Sequence, residues 1–366
     1  MYDQIREDTL YIMLYAIVIA MTIIASCYLL FRRGNAFAPD ITPPARLRRW
    51  TAVFFACLAL NHFWYMPIFF LTSNEDIEMN DLIGGLLDSM TFAPLALVVL
   101  FCMLQDRRRP LWPIAVMMAP FVVVGILGVV SRSYAFLPVL YVYFLLMCVG
   151  IIIYMVRALR QYGRWLRDNY ADLEHKEVWQ SFVVLAFILL VFVIYAFASE
   201  GVIYQYAMQV IIIVLICYLL WRVETLSDLS IPAPLDTVRN RPTQVALPAK
   251  NVDALIKRYC EEPQLYLQHD LTLLQLAKAI GTNRFYLSQY FSSQGLTYNA
   301  YINNLRVDHF TSLYRDAVEA HRSFTTQQLA QESGFRSYNT FSSAFKRKTG
   351  LSVTAWMKAN KGLENS

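Results

Sequence analysis

Two short stretches near the C-terminal end carry side chains able to read the edges of base pairs. One holds Arg284, Tyr286, Ser288 and Gln289; the other holds Arg336, Ser337, Tyr338, Asn339, Ser342, Ser343, Lys346 and Arg347. Glutamine and asparagine pair with adenine edges, arginine with guanine, and hydroxyls with bases or phosphates. Within each stretch two apolar residues stand four apart, Leu287 with Phe291 and Phe341 with Phe345. One helical turn separates such a pair, so both face a core and leave the polar side chains free on the other side. Arg347 and Lys348 suit phosphate better than bases. The chemistry expected is hydrogen bonding in a nucleic-acid groove, with no catalytic set, metal site or cofactor. His-Glu-x-x-His, P-loop and Gly-x-Ser-x-Gly spacings are absent from the chain. His175 reads as a solvated loop residue rather than a phosphoacceptor.

The elements that must hold those faces form a repeat. Thr272-Leu-Leu-Gln275-Leu-Ala-Lys-Ala-Ile-Gly281 and Thr325-Thr-Gln-Gln328-Leu-Ala-Gln-Glu-Ser-Gly334 share Thr, Gln, Leu, Ala and Gly at the same offsets. Threonine followed three residues later by glutamine is the arrangement of a capping box at a helix start. Leu-Ala supplies an apolar anchor and a small residue where a second helix can approach, and glycine suits the turn between helices. Val252, Leu255 and Ile256 predict a leading helix over 251–259. Tyr298, Tyr301, Ile302, Leu305, Phe310 and Leu313 predict one long connecting helix from Thr297 to about Ala317.

These residues carry a resemblance. The stretch from Asn251 to about Lys358 resembles the DNA-binding domain of the AraC/XylS family of bacterial transcription regulators. Its strongest segment is Gly334-Phe-Arg-Ser-Tyr-Asn-Thr-Phe-Ser-Ser-Ala-Phe-Lys-Arg-Lys-Thr-Gly350, supported by Tyr301, Asn304, Leu305 and Arg306. The resemblance implies two helix-turn-helix units entering successive major grooves of double-stranded DNA, ~34 Å apart. Val353, Phe310 and Thr326 depart from the family pattern, which usually has proline, alanine and an aliphatic residue there. A net charge of +5 is modest for a nucleic-acid binder. Arg284, Arg306, Arg336, Lys346, Arg347 and Lys348 nevertheless gather at the two units.

The first two thirds differ in kind. The 366 residues are 57% hydrophobic, and the excess collects in runs of roughly 20 residues, enough to cross a hydrocarbon core of ~30 Å. Seven runs stand out: Thr9–Phe31, Thr51–Leu71, Leu82–Leu104, Leu111–Val130, Tyr134–Met155, Val178–Ala198 and Val202–Trp221. Every other connection is basic: Arg32, Arg33, Arg46, Arg48 and Arg49 after the first run, Arg107 to Arg109 after the third, and Arg157, Arg160, Arg164, Arg167 and Lys176 after the fifth. Cytoplasmic loops retain positive charge. An outside N-terminus, with Asp3, Glu7 and Asp8 against Arg6, and seven spans then place the C-terminal region in the cytoplasm. The acidic leader and a long apolar run argue against a cleaved export signal despite Ile24-Ala-Ser-Cys27. The six cysteines form no Cys-x-x-Cys pair, which opposes a disulfide framework or zinc cluster and favours packing roles.

Outward connections are too short to fold by themselves, so a signal would be read within the bundle or through another membrane protein. That narrows the sensor to polar residues inside the spans, where an ionisable group costs ~2.5 kcal/mol or more and usually faces the protein interior. Asn61, His62 and Asp88 are such polar residues, the last two ionisable, and a His62 to Asp88 pairing across a hairpin is geometrically allowed. Two readings stand: helix glue, or a signal pocket. The prolines of Ile231-Pro-Ala-Pro-Leu235 and Arg241-Pro-Thr243 predict a partly flexible tether.

The expected architecture is all-α: a seven-helix transmembrane bundle over 1–221, a proline-containing cytoplasmic linker over 222–249, and a double helix-turn-helix domain over 250–366. The resemblance together with the apolar runs, which are similar to those of a less common membrane-bound subgroup of the family, predicts a one-component regulator in the bacterial inner membrane, with duplex DNA, the lipid bilayer, a second copy of the chain and an unidentified signal as expected partners. Family members usually carry a soluble effector domain, so the effector does not carry over. The alternative is a transporter or lipid-binding membrane protein with an attached autoregulatory domain.

Overall fold

The computed structural model describes residues 8–32, 35–39, 41–132, 135, 137–198, 202–229 and 249–363. Residues 230–248, most of the linker expected over 222–249, lie outside the described residues, as do Asp3, Arg6, Glu7 and Arg33. Among the described residues every regular element is helical, and one isolated β-bridge pairs Tyr170 with Thr272. Two compact units form, one from Met1–Tyr162 and Val178–Leu235, the other from Gly163–Glu177 and Asp236–Ser366.

The first unit begins with α1 (Thr9–Phe31), whose N-cap Asp8 accepts from the backbone N–H of Leu10 and Tyr11. Helix α2 (Ala45–Tyr65) ends in a 3₁₀ turn, Met66–Phe69, that contains Pro67. The expected third span is broken into α3 (Asn74–Met90) and α4 (Phe92–Met103), with Thr91 out of helical geometry at φ −124°, ψ −70°. Pro94 accounts for the break: it has no N–H for the Met90 carbonyl, and its ring crowds that carbonyl. Helix α5 (Trp112–Ser131) follows and stops at Arg132 in the left-handed region. Helix α6 (Leu137–Asn169) runs well past the expected end at Met155, so Arg157, Arg160, Arg164 and Arg167 are helical. Helices α7 (Trp179–Ala198) and α8 (Val202–Thr225) complete the set.

Among the described residues six stretches are helical, long and apolar enough to cross a membrane: Thr9–Phe31, Ala45–Phe69, Asn74–Met103, Trp112–Ser131, Pro138–Asn169 and Ile203–Thr225. The apolar stretch Trp179–Val191 of α7 is shorter. Packing does not stop where the apolar run does, at Trp221. Val223, Glu224 and Leu226 are buried, and Glu224 lies 3.7 Å from Arg48. The Leu229 N–H donates to Gln105 Oε1 at 2.8 Å, and Gln105 Nε2 donates to the Ser227 carbonyl at 3.0 Å.

The second unit contains α9 (Ala249–Ile256), which runs on through a π turn at Lys257–Glu261, then α10 (Leu273–Ala279) and α11 (Arg284–Ser293). The connecting helix α12 (Tyr298–Glu319) leads to α13 (Thr326–Glu332), α14 (Tyr338–Thr349) and α15 (Val353–Leu363). Two apolar cores are strung along α12. Tyr298 and Ile302 join the first with Leu276, Leu287 and Phe291; Val307, Phe310 and Tyr314 join the second with Leu329, Phe341 and Phe345.

Candidate nucleic-acid interface

Each helix-turn-helix unit is set by local chemistry near its start. Thr272 Oγ1 accepts from the Gln275 N–H at 3.2 Å, and Gln275 Oε1 accepts from the Thr272 N–H at 2.8 Å, a complete capping box. The second copy makes half of one. Thr325 accepts from the Gln328 N–H at 3.1 Å, but the Gln328 amide turns to Glu332 instead. Gly281 and Gly334 both take positive φ, +74° and +91°, where a Cβ is disfavoured. Asn283 and Ser337 cap α11 and α14 by accepting from Tyr286 N–H at 3.0 Å and Thr340 N–H at 3.4 Å.

The expected apolar pairs point inward: Leu287, Phe291, Phe341 and Phe345 are all buried. On α14 the outward stripe is Asn339, Ser343 and Lys346, all exposed and four and three residues apart, while Ser342 is half-buried. Tyr338 and Arg347 are exposed beside it. Ser337 is half-buried and engaged in capping. On α11, Gln289 is exposed and Arg284, Tyr286 and Ser288 are half-buried. Reading only polar residues missed Phe285, which is 71% exposed and sits four residues before Gln289 on the same face. An aromatic side chain there can meet a thymine methyl group. The signal was its place opposite Leu287 and Phe291.

Three basic residues have structural partners. Arg306 is 1% exposed. Its Nε donates to the Tyr266 carbonyl at 2.7 Å, and its Nη2 donates to those of Gln268 and His269 at 2.6 and 3.2 Å. Burial lowers its pKa to about 10, so it stays charged at neutral pH. It braces the domain from inside rather than meeting DNA. Lys348 turns to the connecting helix, donating to the Asn304 carbonyl at 2.8 Å and pairing with Asp308. Arg336 is exposed, but its Nη1 lies 3.5 Å from Asp270 Oδ2, and an exposed pair of this kind is weak enough to yield to phosphate.

In the first unit Asn61 and Asp88 come together and His62 turns away. Asp88 Oδ1 accepts from Asn61 Nδ2 at 2.5 Å and from Trp64 Nε1 at 3.2 Å, and Asp88 Oδ2 accepts from the Tyr65 hydroxyl at 3.0 Å. Asn61, Trp64 and Tyr65 share one helix face by spacing, whereas His62 lies about 100° around from Asn61. His62 Nδ1 donates to the Leu58 carbonyl at 2.8 Å, and its Nε2 is 3.3 Å from the Gln209 carboxamide. Among the described residues no cluster of three His, Cys, Asp or Glu is arranged to hold a metal.

A helix-turn-helix domain family matches residues 276–359. The chain is similar to the HTH-type transcriptional activator RhaR of Escherichia coli strain K12 and of Shigella flexneri serotype 5b. Each is 27% identical over 123 residues, which is 33% of this chain and 42% of the relative. The chain thus spans less than half the length of the curated relatives it matches. These relatives are transcriptional activators by name. No solved structure matches.

Proposed function

We propose that this chain is a membrane-bound one-component transcription regulator whose C-terminal domain is an AraC-type double helix-turn-helix, a reading supported by the helix-turn-helix match over residues 276–359. It binds duplex DNA sequence-specifically and is controlled by a signal sensed in or through its apolar helices. The observation that carries the reading is the union, in one polypeptide, of two helix-turn-helix units on a common helix with six helical stretches among the described residues that are long and apolar enough to cross a bilayer. Val139, Val142, Leu145 and Ile152 on α6, and Phe187 on α7, are large apolar side chains left exposed, a surface that lipid would cover. With α7 as a further span and the N-terminus outside, the DNA-binding domain lies in the cytoplasm of a bacterial cell, held at the inner membrane. Helices α11 and α14 enter successive major grooves, with Gln289, Asn339, Ser343 and Lys346 toward the bases and Arg336 and Arg347 toward phosphates. A second copy of the chain adds affinity through avidity. The Asn61 and Asp88 cluster is the place in the bundle where a signal acts.

The test is full-length protein in lipid nanodiscs titrated with duplex DNA, alongside genome-wide occupancy in cells. Binding is expected to weaken steeply with salt, and Arg336→Ala combined with Asn339→Ala to abolish sequence preference while non-specific binding persists. A folded, membrane-inserted protein showing no preferred sites overturns the reading.

A transporter that also governs its own genes is the alternative. The break between α3 and α4 at Thr91, three residues beyond Asp88, resembles the discontinuous helices of transporter sites. Substrate uptake into proteoliposomes would favour it.

A further inference from the structure

The end of α6 and its connection to α7 have the composition of an ordinary polar segment, yet residues Gly163–Glu177 pack as part of the second unit. Ala171 is 0% exposed and lies in the first apolar core with Leu271, Leu273, Leu276, Tyr298 and Ile302. Its N–H donates to the Leu271 carbonyl at 3.3 Å. Its carbonyl accepts from Asn299 Nδ2 at 2.6 Å and from Asn303 Nδ2 at 3.2 Å. Those two residues are only 3% and 2% exposed, and Asn299 Nδ2 also donates to the Tyr170 carbonyl at 3.3 Å, so a buried polar pair on the connecting helix is committed to two neighbouring carbonyls outside the C-terminal stretch. Buried amides without partners are costly; the strap supplies the partner. Beside Ala171, Tyr170 makes its antiparallel bridge with Thr272, the residue that caps α10. Lys176 Nζ lies 3.3 Å from Asp270.

We infer that Gly163–Glu177 is a strap belonging to the DNA-binding domain, clamped at Ala171 between Leu271 and the Asn299 and Asn303 pair, and that it holds the first helix-turn-helix unit to α6 and α7 as a second attachment besides the tether. The inference rests on the proposed reading of α6 and α7 as membrane spans. Helix α6 continues without interruption to Asn169, two residues short of the clamp. A shift or rotation of that helix therefore arrives at the start of the first helix-turn-helix unit without passing through the proline-bearing tether.

The experiment uses the full chain in native membranes, with a protease site placed in the tether between Pro234 and Pro242. After cleavage the C-terminal fragment is expected to sediment with the membranes and to leave them in urea. Asn299→Ala with Asn303→Ala is expected to release most of it without urea. In a Tyr170→Cys and Thr272→Cys variant, oxidation is expected to link the two fragments on a non-reducing gel, as bridge partners lie within disulfide reach, and single-cysteine variants are expected not to link. Oxidised and reduced forms are expected to bind non-specific duplex DNA within about twofold of each other, since the crosslink preserves a contact already made. Release of the uncrosslinked wild-type fragment, absence of the disulfide, or a tenfold loss of DNA binding on oxidation each overturns the strap. If the N-terminal fragment is itself missing from the membrane pellet, it is the membrane reading that fails.

Discussion

The guanidinium of Arg306 lies over the ring of Phe335, 5.7 Å from its centroid, and this contact ties the turn of the second helix-turn-helix unit to the interior of the first. The turn glycine beside it, Gly334, is held closely. A Cβ there would meet Leu267 Cα at 2.8 Å and Arg306 Nε at 3.2 Å, and His269 Nδ1 donates to the Gly334 carbonyl at 3.1 Å. The equivalent Gly281 has the same backbone sign but open space around it.

The two glycines are therefore expected to respond differently to alanine. Gly281→Ala meets only the left-handed backbone cost, about 1–2 kcal/mol. Gly334→Ala meets that cost plus displacement of the Leu267 backbone, roughly 1–3 kcal/mol more by the cost of overpacking. Hydrogen exchange over 265–345 in the intact chain separates them: faster exchange on both sides of Arg306 in the Gly334 variant, and a smaller rise near α10 in the other. Equal effects would show that the contact with Leu267 is slack.

Asp270 is the acidic residue shared by Arg336 and Lys176, at 3.5 and 3.3 Å. Its carboxylate lowers the positive potential at the start of α14. Asp270→Asn is expected to raise affinity for duplex DNA several-fold at low salt and to steepen the salt dependence, because Arg336 becomes free for phosphate. Fluorescence anisotropy across a salt series measures this. An unchanged slope would mean that Arg336 leaves Asp270 on DNA binding at no cost.

How much of this was legible depended on the range of the interaction. Thr272 with Gln275, Gly281, and Leu287 with Phe291 are neighbours along the chain, so their spacing alone specifies cap, turn and core face. The second capping box is incomplete because Glu332, one helical turn after Gln328, competes for its amide. The strap was not legible: Ala171 is one small residue in a polar segment, and its burial depends on Leu271 and Asn299, far along the chain. Arg306 looked like a DNA contact because composition counts charges without saying which way they point. Asn299, Asn303 and Arg306, spaced four and three apart on α12, did mark a polar stripe on an otherwise core-facing helix surface.

Lys346 and Arg347 are exposed basic residues in the last turn of α14. Lys346 continues the outward stripe of Asn339 and Ser343, whereas Arg347 lies to its side. Each is expected, when changed to alanine, to weaken binding to all sequences and to lower the salt slope by about 1 if it contacts a phosphate. Lys346→Ala is further expected to relax preference at one base pair. Lys348→Ala, whose ammonium is occupied by Asp308 and the Asn304 carbonyl, is expected to leave the slope unchanged. A fall in slope for Lys348→Ala equal to that for Arg347→Ala would show that its intramolecular contacts yield to DNA.

Alkaline pH is expected to unfold the second unit. Burial pushes the Cys260 thiol up to about 12, and burial together with donation to Asp253 pushes the Tyr290 hydroxyl to about 12. In both cases the folded value lies above the unfolded one. The stabilisation is present below the ordinary values, about 8.5 for the thiol and 10 for the phenol, and is lost as pH rises through about 12. Arg306 has the opposite sign: its lowered value near 10 means that the cost of a buried charge eases above that pH. The net expectation is that Cys260 resists maleimide at about pH 8.5, near the ordinary thiol value, and becomes reactive together with loss of tertiary structure at higher pH. Labelling of Cys260 in the folded domain would contradict it.

The polar cluster of the first unit depends on a glycine one turn away from its carboxylate. A Cβ at Gly84 would fall 2.4 Å from the Tyr65 ring, and Tyr65 donates to Asp88, four residues further along the same helix. Gly84→Ala is therefore expected to push the phenol aside and strip Asp88 of one of its three donors, leaving Asn61 and Trp64. Asp88→Asn keeps the size of the side chain and removes the charge those donors serve. If the cluster is helix glue, both variants lower the thermal stability of the bundle in detergent, by about 1–3 kcal/mol for a buried hydrogen bond left unmade, and reporter output falls only as protein level falls. If it is the signalling site proposed above, Asp88→Asn changes reporter output at constant protein level and unchanged membrane insertion, and Gly84→Ala changes it in the same direction. Immunoblot-normalised reporter assays separate the two outcomes.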